Sequence, residues 1–254
     1  NSGNMLGGVH NELSYMTLQA LSTGGIKDVS VDGTSYDFKF PIADEHFVAP
    51  DSGKEWFKKS GSNIVANETA DPIKDIQDWQ EYLVDDLGLA VDHWKISKKL
   101  LSKLWQHPAV LSAYKASKNY YQPADVKAVK NDVLAWMHNE MEIWMFDVID
   151  FKSRHEENGK PVNDEPAFDE KNMVACSSTV IPFEIKCMNS LRKDRMGMGG
   201  LTDANLYSLV EGRIAVLNTW EERPMQNTVD CELFAGPVFR NLHEIGIAQT
   251  YTLD

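Results

Sequence analysis

The 254 residues of the chain have a formal net charge of −13, a hydrophobic content of 43% and an aromatic content of 10%. This composition excludes a disordered tail, and the acidic balance argues against binding to nucleic-acid phosphates, which depends on lysine and arginine. The longest apolar runs are far short of the roughly 20 residues that span a bilayer, so no membrane contact is expected.

The first 70 residues predict the end of a helix followed by short extended segments. Apolar residues recur at near-helical spacing from residue 9 to residue 21, which indicates a helix. The glycines of Ser22-Thr23-Gly24-Gly25 end it, because glycine tolerates a left-handed cap. Asp32-Gly33 lies between two alternating apolar stretches, a pattern typical of a β-hairpin, and residues 51–61 are polar and rich in glycine and serine.

The clearest helix of the chain is predicted from residue 71 to residue 87. Asp71 can accept hydrogen bonds from exposed backbone amides, and Pro72 suits the first helical position, where its missing N–H would have no partner anyway. Apolar residues trace one face, and Gly88 ends the helix. A short strand is predicted at residues 91–96.

Two further helices precede a change to strands. Ser97 caps the second helix, which the His107-Pro108 pair interrupts, and a third helix is predicted after Pro123. From residue 142 the apolar residues follow the two-residue period of strands. We therefore expect interleaved helices and strands in this part of the chain, including a buried strand at residues 172–177.

The last 45 residues are predicted to be almost entirely extended. Two long strands, residues 210–222 and 228–235, are joined by a turn, and Gly236-Pro237 is predicted to form a corner. A final strand covers residues 244–253. No residue in this block follows a catalytic pattern, which favours a building block over an enzyme.

A glycine-rich basic segment at residues 192–200 invites comparison with phosphate-binding loops. It fits neither the P-loop nor the dinucleotide-binding pattern, because no strand closely precedes it and no helix with a suitable lysine follows. Its positive charge in an acidic chain instead favours contact with an acidic partner surface. The interface candidates in this segment are Arg192, Lys193, Arg195, Gly197 and Gly199.

Trp220, Glu221, Glu222 and Arg223 end the first long strand with charges of both signs. They are also interface candidates, since salt bridges repeated over many symmetry-related contacts can set register and partner choice. The pattern is equally typical of a solvated strand end, where an exposed ion pair contributes little. The sequence leaves both interpretations open.

No catalytic residue, cofactor or metal site is predicted. Cys176, Cys187 and Cys231 are far apart, which fits a reducing compartment rather than a disulfide framework or a zinc site. The histidines lack the i, i+4 spacing of helical metal ligands, and the chain has no nucleophile elbow. A hydrolase that uses carboxylates or a metal is the least favoured alternative.

The order of the elements resembles the lambda-type major capsid protein E family of tailed bacteriophages. The resemblance covers residues 9–254 and is carried by four segments: the helix that begins DPIKDIQDWQEYL, the helix and break in SKKLLSKLWQHPAVLSAYK, the extended run Ile143–Ser178, and the closing strands Thr219–Asp254. Because the chain starts Asn1-Ser2-Gly3-Asn4, we expect a processing or cloning boundary there. The family's N-terminal arm and most of its spine helix would then lie upstream.

The resemblance implies an α+β, HK97-like phage capsid fold with two domains. The peripheral (P) domain would take residues 1–70 and 210–235, which include the helix tail and the long strands. The axial (A) domain would take residues 71–209 and 236–254, a sheet flanked by helices.

The function that the resemblance implies is structural. Many copies of a major capsid (head) protein would self-assemble into hexamers and pentamers of an icosahedral virion shell that encloses double-stranded phage or prophage DNA. Assembly would occur in the cytoplasm of the host bacterium, with scaffold, decoration and portal proteins as further partners and without sequence-specific nucleic-acid contacts. The alternative with the same fold is the shell of an encapsulin-like bacterial compartment.

Overall fold

A computed structural model gives the fold and describes residues 2–29, 35–60, 63–118, 128–151, 154–157, 160–163, 166–179, 182–188, 207–210, 214–222, 225–232 and 234–252. Helices and strands both occur throughout these ranges, as the α+β class requires. The α-helices are α1 (Ser2–Thr23), α2 (Pro72–Glu81), α3 (Lys98–Trp105), α4 (Pro108–Lys118) and α5 (Lys130–Asn139). The strands are β1 (Gly25–Val29), β2 (Ser35–Lys39), β3 (Phe47–Val48), β4 (Phe57–Ser60), β5 (Asn63–Ala66), β6 (His93–Ser97), β7 (Met145–Ile149), β8 (Arg154–Glu157), β9 (Lys160–Asn163), β10 (Asn172–Cys176), β11 (Phe183–Met188), β12 (Tyr207–Val210), β13 (Ile214–Glu222), β14 (Met225–Glu232), β15 (Phe234–Phe239) and β16 (Ile245–Gln249).

The chain divides into two compact units. The first unit consists of Asn1–Leu18, Lys152–Ala167 and Phe183–Val238, and the second consists of Gln19–Phe151, Phe168–Pro182 and Phe239–Asp254. The second unit contains helices α2 to α5 together with the largest sheet.

The second unit is built on a five-stranded sheet with the order β3-β16-β10-β6-β7. The last strand, β16, lies inside this sheet, antiparallel to β10 and parallel to β3. β6 pairs with the other side of β10 in the antiparallel direction, and β7 is parallel to β6. Every residue of β10 is buried, so the predicted buried strand at residues 172–177 is confirmed, as is a strand within residues 244–253.

Helices α2 to α5 share their hydrophobic core with one face of this sheet. The sheet residues of the core alternate along their strands, as side chains on one face must, and they are Trp94, Ile96, Met173, Ala175 and Ala248. The helices contribute a row of fully buried side chains that includes Ile76, Leu83, Leu100, Leu104 and Met137.

Helix α2 begins as predicted and ends differently. Asp71 accepts a hydrogen bond from the backbone N–H of Lys74 at 3.3 Å, and Pro72 occupies the first helical position. After Glu81 the chain continues as one π-helical turn, Tyr82–Asp86, instead of an α-helix. Gly88 then ends the segment with a φ of +66°, a conformation that glycine adopts without steric cost.

The helices after β6 follow the predicted signals at their ends. The hydroxyl oxygen of Ser97 accepts a hydrogen bond from the backbone N–H of Leu100 at 3.1 Å. α3 then stops at Trp105, and α4 begins at Pro108, which confirms the predicted break. The third helix, α5, begins only at Lys130, because Val129 before it is extended and serves as its N-cap.

The polar residues 51–61 contain a short strand, which agrees with the short extended segments predicted for the first 70 residues. β4 begins at Phe57 and forms a hairpin with β5. The backbone N–H of Trp56 donates to the carbonyl oxygen of Thr250 at 3.0 Å, and the N–H of Asn67 donates to that of Trp56 at 2.9 Å. These bonds tie the hairpin to the end of β16, a link that local sequence does not reveal. The hairpin predicted around Asp32-Gly33 is confirmed by the pairing of β1 with β2.

The first unit contains a three-stranded antiparallel sheet with the order β12-β13-β14. The long strand predicted at residues 210–222 is confirmed from Ile214 to Glu222. Its predicted start is wrong, since Val210 is the last residue of β12, which pairs with β13 in the antiparallel direction. β13 and β14 then pair from Ala215↔Glu232 to Glu222↔Met225, which confirms the long two-stranded hairpin.

Gly236-Pro237 does not form a corner. Both residues lie inside β15, which pairs with β11 in a two-stranded sheet. A proline is tolerated in such a strand because the outer edge of a two-stranded sheet requires no N–H donor. The composition signal for a turn was therefore misleading at this position.

His107 is expected to make the stability of the second unit depend on pH. Its ring is buried, with Nε2 3.2 Å from the carbonyl oxygen of Trp56 and Nδ1 accepting the backbone N–H of Ala109 at 3.3 Å. The proton therefore sits on Nε2 of a neutral ring, and burial lowers the pKa of His107 below its ordinary value of 6.5. The unfolded chain binds the proton more readily than the folded chain does. The neutral His107 ring therefore stabilises the fold above pH 6.5, and this contribution is lost as the pH falls below 6.5.

Urea unfolding of the wild type and of His107→Gln, at about pH 7.5 and about pH 5.5, measures this effect. We expect the variant to be less stable at the higher pH by about 1–3 kcal/mol and the difference to shrink at the lower pH. The exposed His10 supplies the control variant His10→Gln. A difference that is the same at both pH values would contradict the assignment.

Candidate assembly surfaces

The predicted interface residues at the end of the long strand lie next to the turn of the β13–β14 hairpin. Trp220 is opposite Asn227, Glu221 is opposite Gln226, and Glu222 pairs with Met225. Arg223 lies outside the described residues. The hairpin therefore brings three of these four positions to one end of a two-stranded ribbon.

The basic glycine-rich segment falls outside the described residues, which resume at Tyr207 after Met188. Arg192, Lys193, Arg195, Gly197 and Gly199 consequently keep their status as interface predictions.

An acidic stripe runs along the outer side of α2 and its π-turn. Residues 71–86 contain six acidic residues and one lysine, a formal charge of −5. The stripe consists of Asp78, Glu81, Asp85 and Asp86, all of which are exposed. Within the described ranges no salt bridge engages any of these four carboxylates.

Asp75, on the same helix, is partly buried and hydrogen-bonded, whereas the residues of the stripe are exposed. It is half-buried and accepts a hydrogen bond from Nε1 of Trp56 at 2.8 Å. Burial raises the pKa of Asp75, against the opposing effect of this hydrogen bond. Its carboxyl group therefore belongs to the core of the unit and not to its outer charge.

A lysine surface lies on α3 and on the neighbouring β4–β5 hairpin. Residues 57–66 and 98–105 together contain five lysines and no acidic residue, a formal charge of +5. These lysines are Lys58, Lys59, Lys98, Lys99 and Lys103. Lys98 and Lys99 form exposed salt bridges of 2.6 Å with Asp150 and Glu170, contacts that contribute little to stability.

Lys103 joins the two parts of the lysine surface. Its Nζ lies 5.8 Å from the ring centre of Phe57 on β4 and 5.5 Å from that of Tyr251, just after β16. This position is suited to cation–π contact with both rings. Burial lowers the pKa of Lys103 and raises the pKa of Tyr251 to about 12.

The Lys103 side chain and the π-turn that carries Asp85 and Asp86 lie near opposite ends of β16. Leu83, in the π-turn, contacts the second residue of β16, because a Cβ atom at Gly246 would lie 2.8 Å from both Leu83 Cδ atoms. Lys103 contacts Tyr251, beyond the last residue of the same strand. Since each strand residue advances about 3.3 Å, the π-turn and Lys103 are separated along β16. The earlier part of α2 approaches the end of this strand, because Trp79 stacks on Trp56, which is bonded to Thr250.

Asp92, His93 and Ser178 form the one described group that contains the residue types of a hydrolase. The hydroxyl of Ser178 donates to Asp92 Oδ2 at 2.5 Å, and His93 Nδ1 lies 3.0 Å from Asp92 Oδ1. The bond from Ser178 is the main cause that lowers the pKa of Asp92. In a nucleophilic triad the serine hydroxyl must instead bond to the histidine. Here Ser178, just after β10, is bonded to Asp92, just before β6, and this contact holds the two segments together.

Cys176, at the end of β10, has the properties of a structural thiol. It is completely buried, and burial raises the pKa of Cys176 to about 12. The thiol is therefore protonated at neutral pH, whereas the thiolate is the reactive form. In the described part of the chain, no group of three or more histidine, cysteine, aspartate or glutamate side chains could hold a metal ion.

A shallow recess of about 280 Å³ lies between α4 and α5. An ion pair between Lys118 and Glu140 lies at its lining, and Nε1 of the buried Trp136 has no hydrogen-bond partner among the described residues. The lining residues are Tyr114, Lys118, Asp132, Ala135, Trp136, Asn139 and Glu140. None of the described helices combines the length and the apolar composition that crossing a membrane requires.

Comparison with known families identifies the kind of protein. The sequence profile of phage major capsid protein E matches residues 4–185. The chain belongs to this family. The expected family is thus confirmed over residues 4–185, which are most of the chain.

Two solved structures resemble this member of the capsid protein E family. One is a candidate prophage capsid protein from E. coli CFT073, with 13% sequence identity, a TM-score of 0.56, and coverage of 98% of this chain and 66% of the other. The second is a phage-related protein from Bordetella bronchiseptica RB50, with 12% identity, a TM-score of 0.44, and coverage of 82% of this chain and 56% of the other. The first likeness confirms the α+β capsid fold. No curated protein sequence matches the chain significantly.

Sequence reasoning missed the two charged surfaces of this capsid protein, although a signal was present. Counting charges in windows would have shown −5 over residues 71–86 and five lysines in two short acid-free segments. The count alone could not show that the two lysine segments meet.

Proposed function

We propose that this protein is the major head protein of a phage or prophage, and that copies of it assemble into hexamers and pentamers of an icosahedral shell around double-stranded DNA. The match of the phage major capsid protein E profile to residues 4–185 carries the proposal. The role is structural and not catalytic, and the virion capsid is its location, formed in the cytoplasm of the host bacterium.

The partners in this proposal are chiefly other copies of the same chain. Scaffold, decoration and portal proteins act during assembly, and neither a membrane nor a specific DNA sequence is bound. The chain spans 66% and 56% of the lengths of the two structures that it resembles, so the assembly of the whole protein is part of the proposal.

The proposed domain division follows the family. The axial domain takes residues 71–209 and 236–254, and the peripheral domain takes residues 1–70 and 210–235. The position of β16 in one sheet with β6, β7 and β10 supports the return of the final strand to the axial domain. Residues 19–70 belong to the second compact unit of this chain, and limited proteolysis of assembled particles would show on which side of the boundary they lie.

The basic segment at residues 192–200 is proposed to contact neighbouring copies near the axis of each ring. Three cations within four residues, Arg192, Lys193 and Arg195, are suited to an acidic partner in a chain with a charge of −13. Trp220, Glu221, Glu222 and Arg223 are proposed as a second contact, at the tip of the β13–β14 hairpin.

Expression of the complete gene, followed by electron microscopy and nuclease digestion, tests the function. We expect closed shells of uniform size, and in infected or induced cells we expect them to contain nuclease-protected DNA. Shells that enclose a cargo enzyme would favour a bacterial compartment. A monomer with hydrolase activity would overturn the proposal.

The triple variant Arg192→Glu, Lys193→Glu, Arg195→Glu is expected to impair ring formation, because three attractive contacts per subunit become repulsive. Lys27→Glu, Lys39→Glu, Lys54→Glu, which reverses three exposed lysines elsewhere, is the matched control. Normal shells from the first variant would remove this segment from the interface.

A further inference from the structure

The acidic stripe has no neutralising partner in the described part of the chain, although lysines are abundant in the same unit. Lys95, Lys98, Lys99 and Lys118 form salt bridges with acidic residues outside α2 and its π-turn. Four exposed carboxylates within nine residues repel one another, and such repulsion is relieved by a positively charged partner. A positively charged surface from outside the unit would therefore bind the stripe favourably.

A second copy of the chain carries a surface of the required charge. The lysine surface has a formal charge of +5, against −5 for the helix and turn that carry the acidic stripe. DNA and other acidic molecules are unsuited to the stripe, because their charge has the same sign. The π-turn of the stripe and Lys103 lie near opposite ends of β16, as the contacts of Leu83 with Gly246 and of Lys103 with Tyr251 indicate.

We propose that the acidic stripe of one copy binds the lysine surface of the next copy in the ring. Two different surfaces of one chain, with opposite charges, suit a head-to-tail contact, which closes into a ring when the rotation between copies permits. The exposed salt bridges of Lys98 and Lys99 exchange their partners at little cost. This inference rests on the proposed self-assembly and names the surfaces that perform it.

Charge reversal on each side separately tests the pairing in the protein expressed from its complete gene. The first variant is Asp78→Lys, Glu81→Lys, Asp85→Lys, and the second is Lys58→Glu, Lys59→Glu, Lys98→Glu. Each is expected to reduce the assembled fraction by at least about tenfold, because like charges then face each other in every ring contact. Analytical ultracentrifugation measures that fraction, and circular dichroism with thermal melting shows whether the variants fold.

The six-fold variant that combines both sets is the decisive measurement. It restores opposite charges across the contact, with their signs exchanged, so we expect shells to form again. Failure of the combined variant to assemble, while it folds and melts as the wild type does, would overturn the pairing. Normal assembly of both triple variants would overturn it as well.

The matched control is Asp44→Lys, Glu45→Lys, Glu68→Lys. It changes the net charge by the same amount as the first variant, but at other exposed positions. We expect it to assemble normally, and a loss equal to that of the first variant would assign the effect to net charge and overturn the inference. A wild-type protein that forms no shells would instead contradict the proposed function, so the two failures are distinguishable.

Discussion

Replacing Trp56 by alanine is expected to destabilise the second unit by about 3–5 kcal/mol, the usual cost of removing a buried tryptophan. Trp56 is fully buried, and its ring stacks on that of Trp79 with the ring centres 5.4 Å apart. Its Nε1 also donates to the half-buried carboxylate of Asp75 at 2.8 Å. The substitution therefore leaves a cavity and removes a hydrogen bond from a partly desolvated charge.

Urea unfolding of the wild type, Trp56→Ala and Trp56→Phe measures these two contributions. Phenylalanine keeps a ring against Trp79 and removes the N–H donor, so we expect its effect to be smaller, about 1–3 kcal/mol. The exposed Phe38 supplies the control Phe38→Ala, for which we expect a change of less than about 1 kcal/mol. Equal stability of Trp56→Ala and the wild type would show that Trp56 does not anchor the core.

Replacing Gly246 by alanine is expected to destabilise the second unit by about 1–3 kcal/mol through overpacking. The added Cβ atom would lie 2.8 Å from both Cδ atoms of Leu83, and Leu83 is fully buried among the core side chains. Either the π-turn or β16 must then move away from the other.

A double-mutant cycle with Leu83→Ala isolates this contact. In the Leu83→Ala background the obstructing atoms are gone, so we expect Gly246→Ala to cost less than about 0.5 kcal/mol. An equal cost in both backgrounds would mean that glycine is required for its backbone conformation and not for the close approach of Leu83.

Helix ends were predictable where the responsible atoms are close in sequence. The N-caps of Asp71 and Ser97, the break before Pro108 and the stop at Gly88 each depend on residues within about four positions. The same local signals failed where a distant strand decides the outcome. Gly236-Pro237, which local sequence predicts to be a corner, stays extended because β15 pairs with β11.

The candidate surfaces show the same division between local and distant information. The stripe follows largely from helical spacing, since Asp78, Glu81 and Asp85 recur at intervals of three and four residues, opposite the buried row of the same helix and turn. Asp86 directly follows Asp85. The lysine surface has no such periodicity. It exists because Lys103 packs over Phe57, a residue from a hairpin more than forty positions earlier.

The sequence by itself determined the family, the α+β class, the caps and breaks of the helices, and the unequal distribution of charge along the chain. The tertiary structure alone decided that the last strand lies between β3 and β10, that Gly246 contacts Leu83, and that Lys103 of α3 lies over Phe57 and Tyr251. The physical reason is the range of the interactions. Caps and helical periods arise from the backbone within one or two turns, whereas strand order and the separation of charges depend on packing between segments that meet only in the folded chain.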